Sequence, residues 1–254
     1  MLARLNHLRS AAIAYILDPP GGGVVWQSFL AAALLDLALV IGHAVALILV
    51  FFDVIATVPW ALSVFNDNSP AEYINYLKWS AIILCAGFAW HKLRVPALMA
   101  IVIIFSLVLA DDSLRLHESG GALILAKVTA FPDFGSSTPQ AAELVIWAAL
   151  GSIVVPVGVW GFTRSDSEGR RLASYMIVGF FAAVCAGIGL DTAGELVQFL
   201  PTDCTRYIGQ LLSGLIECLS ESLSASLSLA FAIGIAKTAC ANGIGTVGAA
   251  GLSK

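Results

Sequence analysis

Apolar residues run along this chain in stretches close to the thickness of a bilayer, separated by short clusters of charge, Gly and Pro. A helix needs roughly 20 such residues to cross about 30 Å of hydrocarbon, and the pattern predicts six spans. Asp18-Pro19-Pro20-Gly21-Gly22-Gly23 breaks the chain ahead of the first, which starts at Val24 or Phe29 and reaches about Thr57, near Pro59 and Trp60. The second covers about Ala71 to Trp90 and is bounded by Lys92 and Arg94. The third runs from Pro96 through Ala110 into Asp111-Asp112-Ser113-Leu114-Arg115-Leu116-His117-Glu118, and Gly120-Gly121 is expected to end it. The fourth covers about Ala141 to Phe162, the fifth about Leu172 to Leu200, and the sixth starts near Tyr207 and extends to Ala236 or beyond.

These spans predict an all-α, polytopic transmembrane bundle occupying residues 24–241. A cytoplasmic N-terminal segment, 1–23, precedes it, and a Gly-rich cytoplasmic tail, 242–254, follows. Met1 to Tyr15 carries Arg4, His7 and Arg9 among Leu2, Leu5 and Leu8, which suits a short surface helix or a disordered leader.

Composition agrees with the pattern. The chain is 59% hydrophobic and 12% charged, with a mean hydropathy of +0.89, against about 25% charged residues in soluble domains. The five cysteines form neither a disulfide framework nor a zinc spacing. A cytoplasmic N-terminus puts most of the 13 Lys and Arg inside and leaves Lys78, Arg115, Lys127 and Arg206 outside. An inner-membrane location with both termini cytoplasmic follows. The lipid bilayer is the expected partner, with a homo-oligomer or larger membrane complex beside it and no nucleic acid.

Most of the 17 acids fall in the outer half under this topology. Counting about 1.5 Å per residue from Arg94, Arg171 and Lys237 puts Asp111, Asp191 and Glu221 at one level, roughly 24 to 30 Å from the inner boundary. His43 reaches a similar height, and His117, Glu118, Glu195 and Glu217 lie somewhat further out. Helical spacing reinforces the convergence: Asp191, Glu195 and Gln198 share a face, and Ser213, Glu217, Ser220, Glu221, Ser224 and Ser228 form a polar stripe. That stripe is expected to face the third and fifth spans. Asp111, Arg115 and Glu118 repeat the spacing on the third.

Ionisable groups in spans face a bundle interior or an aqueous cavity, and Arg115 alone cannot balance so many carboxylates. Bound cations or protonation are the two remedies, and a wet outer vestibule is the alternative that needs neither. A divalent metal is therefore an expected cofactor, with Asp111, His117, Glu118, Asp191, Glu195, Glu217, Glu221 and His43 as its candidate ligands. Neither Glu-x-x-His nor His-Glu-x-x-His occurs, so no di-iron or zincin site is read. Asp36, inside the first span, is a buried acid that needs a partner. Lys237 is placed to snorkel at the inner end.

The string Asp111-Asp112-x-x-x-x-His117-Glu118 resembles a motif in uncharacterised bacterial multi-pass membrane proteins, over eight positions of the chain. The resemblance implies a bacterial membrane protein of six or seven helices and carries no activity. The leading functional expectation is an outward-facing acidic cavity that binds a cation, as part of an ion transporter or channel. A metal-dependent membrane enzyme acting on a lipid or small substrate is the second. An accessory subunit or assembly factor of a larger complex is the third.

Overall fold

The structure, a computed structural model, describes residues 19–64, 68–135, 138–196 and 202–250, without the side chains of 186–188, 190–196, 203, 204 and 242–250. The N-terminal segment expected to form a surface helix, Met1 to Tyr15, lies outside the described residues. Among those described the chain is all-α, with seven helices. These are α1 (Gly23–Phe51), α2 (Pro70–Leu93), α3 (Pro96–Leu114), α4 (Leu116–Lys127), α5 (Thr138–Arg164), α6 (Ser167–Leu196) and α7 (Asp203–Ala250). One 3-10 turn, Trp60–Leu62, lies between α1 and α2.

Among the described residues four helices are long and apolar enough to cross a membrane: α1, α3, α5 and the Thr205–Ala241 part of α7. Their surfaces are the reverse of a soluble protein's. On α1 only Val25, Asp36, His43 and Ala46 are buried, while Leu30, Leu34, Leu37, Ile41, Val45 and Ile48 form an exposed stripe. Exposed Leu144, Ile153, Val155 and Val159 do the same on α5. Contiguous apolar surface of this extent suits lipid.

Helix ends follow local chemistry. Ser69 caps α2, its Oγ accepting from the Glu72 N–H at 3.3 Å, with Pro70 at the first helical position. Val95 gives α3 no side-chain cap. Instead the Ala97 N–H donates to Ser165 Oγ at 2.8 Å, and the Ser165 hydroxyl donates to the Gly161 carbonyl at 2.8 Å. The end of α5 thereby closes the start of α3.

The expected third span is corrected in two places. Arg115 takes a left-handed conformation, φ 52° and ψ 47°, and separates α3 from α4. A residue other than Gly adopts that region at a cost, so the regular spacing from Asp111 to Glu118 is interrupted. Gly120 and Gly121 then lie inside α4 instead of ending it. A methyl at Gly121 would meet the Glu143 Cγ at 2.9 Å and its backbone N at 3.1 Å, so the missing side chains let α4 press against α5.

Around the core, α7 packs on α1, α2 and α6, whereas α3 packs on α2, α5 and α6. Buried Ala86, Ala89, Ala97, Ala100, Ala173, Ala225, Ala232 and Ala239 line these contacts. Lipid tails are as apolar as Leu, so close backbone approach through small side chains, not water exclusion, is what holds such helices together. Larger plugs, among them Val25, Ile82, Phe231 and Ile235, fill the space where α1, α2 and α7 meet towards the Gly23 end of α1.

Candidate functional site

Asp111, His117 and Glu118 are brought together by the break at Arg115. Asp111 is fully buried at the end of α3 and spends both carboxylate oxygens on one residue. The His117 backbone N–H donates to Oδ1 at 3.0 Å, and His117 Nδ1 lies 3.0 Å from Oδ2. The acid thus closes the first turn of α4. The imidazole stacks on Trp147 of α5, centroids 5.2 Å apart and planes 30° from parallel. The Asp111 hydrogen bond holds the His117 pKa above the ordinary histidine range, against partial burial that pulls it down. Glu118 pairs with Arg115, and its Oε1 lies 3.9 Å from His117 Nε2.

His43, Glu217 and Glu221 lie elsewhere. His43, on α1, has Nδ1 3.0 Å from the Leu62 carbonyl oxygen and ties the 3-10 turn over the helix. Glu217 and Glu221 are half-buried on α7, with α2 and α6 packed between that helix and α3. The side chains of Asp191 and Glu195 lie outside the described residues. Among the described residues no group of three or more His, Cys, Asp and Glu stands together so as to hold a metal. Asp111, with both oxygens on His117, and His43, turned to a carbonyl, do not fit a shared ligand set.

A second polar site forms where the sequence had placed an isolated acid and an outer lysine. Asp36 of α1 and Lys78 of α2 make a buried ion pair, their side chains 1% and 5% exposed. Lys78 is therefore corrected from an outer flank to the interior. Its ammonium donates to Asp36 Oδ1, to Asn75 Oδ1 at 3.1 Å and to the Ser222 carbonyl at 3.4 Å. All three N–H groups end on oxygen. Ser226 donates to Asp36 Oδ2 at 2.6 Å, and the Asn75 amide donates to Ser222 Oγ at 3.2 Å. Three helices share the network.

Ser222 and Ser226, which lie outside the predicted serine stripe, turn to Asn75 of α2 and Asp36 of α1. Ser228 of the stripe packs against Gly179 of α6, within the expected fifth span. Ser224 and Ser228 donate to backbone carbonyls four residues back on α7. Sequence spacing missed Ser222, Ser226 and Asn75. The available signal was a pair of opposite charges, Asp36 and Lys78, each set within the predicted first and second spans.

Above the pair, on the side of the 3-10 turn, a separate set of bonds involves acids. Tyr76 donates to Glu72, and Trp79 Nε1 donates to Asp112 Oδ2 at 3.1 Å. The loop after α1 roofs the region through the Leu62 bond to His43 and a 3.8 Å Cys218 Sγ contact to the Val64 carbonyl. Below it lie the apolar plugs. The pair is closed to water on both sides.

No protein-family model matches the chain, and no curated protein or solved structure matches it either.

Proposed function

We propose that this chain is a six-span inner-membrane protein, both termini cytoplasmic, that transports a cation through an acidic outer entrance to an occluded site at Asp36 and Lys78. The observation that carries the reading is the buried ion pair itself. A charge inside a span costs about 2.5 to 3.5 kcal/mol on insertion scales, and such groups concentrate on ion and proton pathways. Lipid-exposed α1 could be anchored by apolar packing alone. Keeping a carboxylate on its single buried face calls for a use.

Four apolar helices supply four of the spans. The other two are α2 and α6. On α2 the sole charge away from the ends is Lys78, and its charge and donors are matched in the interior, which makes the helix compatible with the bilayer. Counted at about 1.5 Å per residue, Asp36, Lys78 and Ser226 each lie roughly 20 Å from Gly23, Leu93 and Ala241, the ends assigned to the cytoplasm. Glu72, Asp112 and Glu118 lie beyond them, where their field concentrates cations. The apolar plugs close the inward route, as an occluded state of such a transporter requires.

The test is flux in proteoliposomes. Purified protein in vesicles carrying a pH gradient should change the internal pH when NaCl or KCl is added outside, and should not respond to choline chloride. Equal responses from protein-free vesicles would end the transport reading.

A further inference from the structure

The Lys78 ammonium fills the place a free cation would take. Around its nitrogen stand a carboxylate oxygen of Asp36, the Asn75 amide oxygen at 3.1 Å and the Ser222 carbonyl at 3.4 Å, with the Ser226 hydroxyl on the second carboxylate oxygen at 2.6 Å. These are hard oxygen donors, the class that binds ions such as alkali metals, and no soft ligand is among them. Their formal charge is −1, from Asp36 alone. One positive charge is balanced and a second is not.

We infer that Asp36, Asn75, Ser222 and Ser226 form an exchange site in which an alkali cation and the Lys78 ammonium compete for the same oxygens. The inference rests on the transport reading above and specifies its ion and stoichiometry. Two cations cannot share one carboxylate in a site closed to water, where their repulsion is weakly screened. When a cation M+ enters, Lys78 moves off Asp36 and gives up a proton. The exchange balances: Lys-NH3+ with Asp-COO− and M+ becomes Lys-NH2, Asp-COO− with M+, and one H+ in solvent. One bond to hydrogen breaks, no electrons transfer, and the site remains neutral on both sides. Among the described residues, other titratable groups near the pair include Cys218 and Glu221 on α7, which interact with each other, and His43 two turns further along α1. Their presence makes the lysine variant essential to the test.

Exchange of this kind makes each cation taken up release one proton and leaves the protein's charge unchanged. A lysine is suited to it because its amine is a strongly held, tethered cation that can also exist neutral. An arginine would stay charged and block the site.

The experiment is proton release by purified full-length protein in detergent, in weakly buffered solution with a pH dye, on addition of NaCl or KCl. Wild type should release about one proton per protein, saturably, with apparent affinity falling about tenfold per pH unit as pH is lowered through the coupled range. Lys78→Gln should bind the cation, seen as a rise in melting temperature with NaCl or KCl, but release no proton. Asp36→Asn should do neither. Absence of release from wild type between about pH 6 and about pH 10 would overturn the inference, and so would undiminished release from Lys78→Gln. The wild-type measurement decides even if a variant fails to fold. Release in detergent without flux in vesicles would retain the exchange site and remove the transport reading. Flux without release would do the reverse.

Discussion

Asp36 and Lys78, on different helices, neutralise each other in the interior while Ser226 of a third helix completes the carboxylate's hydrogen bonding. The pair lies on the buried side of α1, which otherwise buries only Val25, His43 and Ala46. Removing one member leaves the other as an uncompensated buried charge, a loss of about 3 to 5 kcal/mol. Removing both can be close to neutral. Asp36→Leu and Lys78→Met should each lower the melting temperature strongly, and the double variant should recover most of the loss. Additive losses in the double variant would show that the two side chains act independently.

Gly121 and Gly87 make a paired test of helix packing. Within a helix, Ala is favoured over Gly by about 1 kcal/mol, and a methyl at Gly87 meets nothing closer than Val102 Cγ2 at 3.9 Å. Gly87→Ala should therefore be neutral or slightly stabilising. At Gly121 the added carbon meets Glu143 backbone, which cannot yield easily, and overpacking of this kind costs about 1 to 3 kcal/mol. Thermal unfolding of both variants checks the difference; a Gly121→Ala protein as stable as Gly87→Ala would remove the close α4 and α5 approach.

The Asp111 and His117 pair predicts a pH dependence beyond the end of α3. The folded-state pKa of His117 is raised, chiefly by the Asp111 hydrogen bond. A raised pKa means the contribution is fully present below the unfolded value of about 6.5 and is lost as pH rises through the higher folded value. Melting temperature should fall over that window in wild type. In His117→Gln the slope should flatten, although Glu118 and Glu143 also act on the imidazole. Asp111→Ala should cost about 2 kcal/mol, since the His117 N–H loses its acceptor. An unchanged slope in His117→Gln would assign it to other groups.

Much of the architecture was legible in the sequence, because runs of apolar residues and their flanking charges are read directly. The expected first span includes α1, and the expected fourth lies within α5. The break at Arg115 was not legible: nothing in Asp111 to Glu118 disfavours continuous helix, and only the Asp111 bond to the His117 N–H explains it. Lys78 was misplaced because assigning basic residues to the nearer face ignores partners. The serine stripe was identified, and its Ser228 meets α6 within the expected fifth span; Ser222 and Ser226 on the other face were missed, since spacing fixes which residues share a face and not what that face meets. His43 was matched to the acids by height alone, and height does not supply direction.

The topology turns on α2, which carries Lys78 in its interior. Reporter fusions after Leu62 and after Lys92 should fall on opposite sides of the membrane, outside and inside respectively. The same side for both would remove α2 as a span and with it the six-span arrangement.

The central claim is that the Asp36 and Lys78 pair is there to handle cations and not to hold helices together. The Asp36→Leu, Lys78→Met double variant separates the two, because apolar replacement of both members preserves packing while deleting the charge. Ser226 can turn to the carbonyl of Ser222 four residues back, and Asn75 retains its bond to Ser222 Oγ. The direct measurement is NaCl- or KCl-driven pH change in proteoliposomes containing equal amounts of folded wild-type and double-variant protein. The account predicts a response in wild type and a response reduced to that of protein-free vesicles in the variant, at similar melting temperature. A double variant that transports as well as wild type would contradict it.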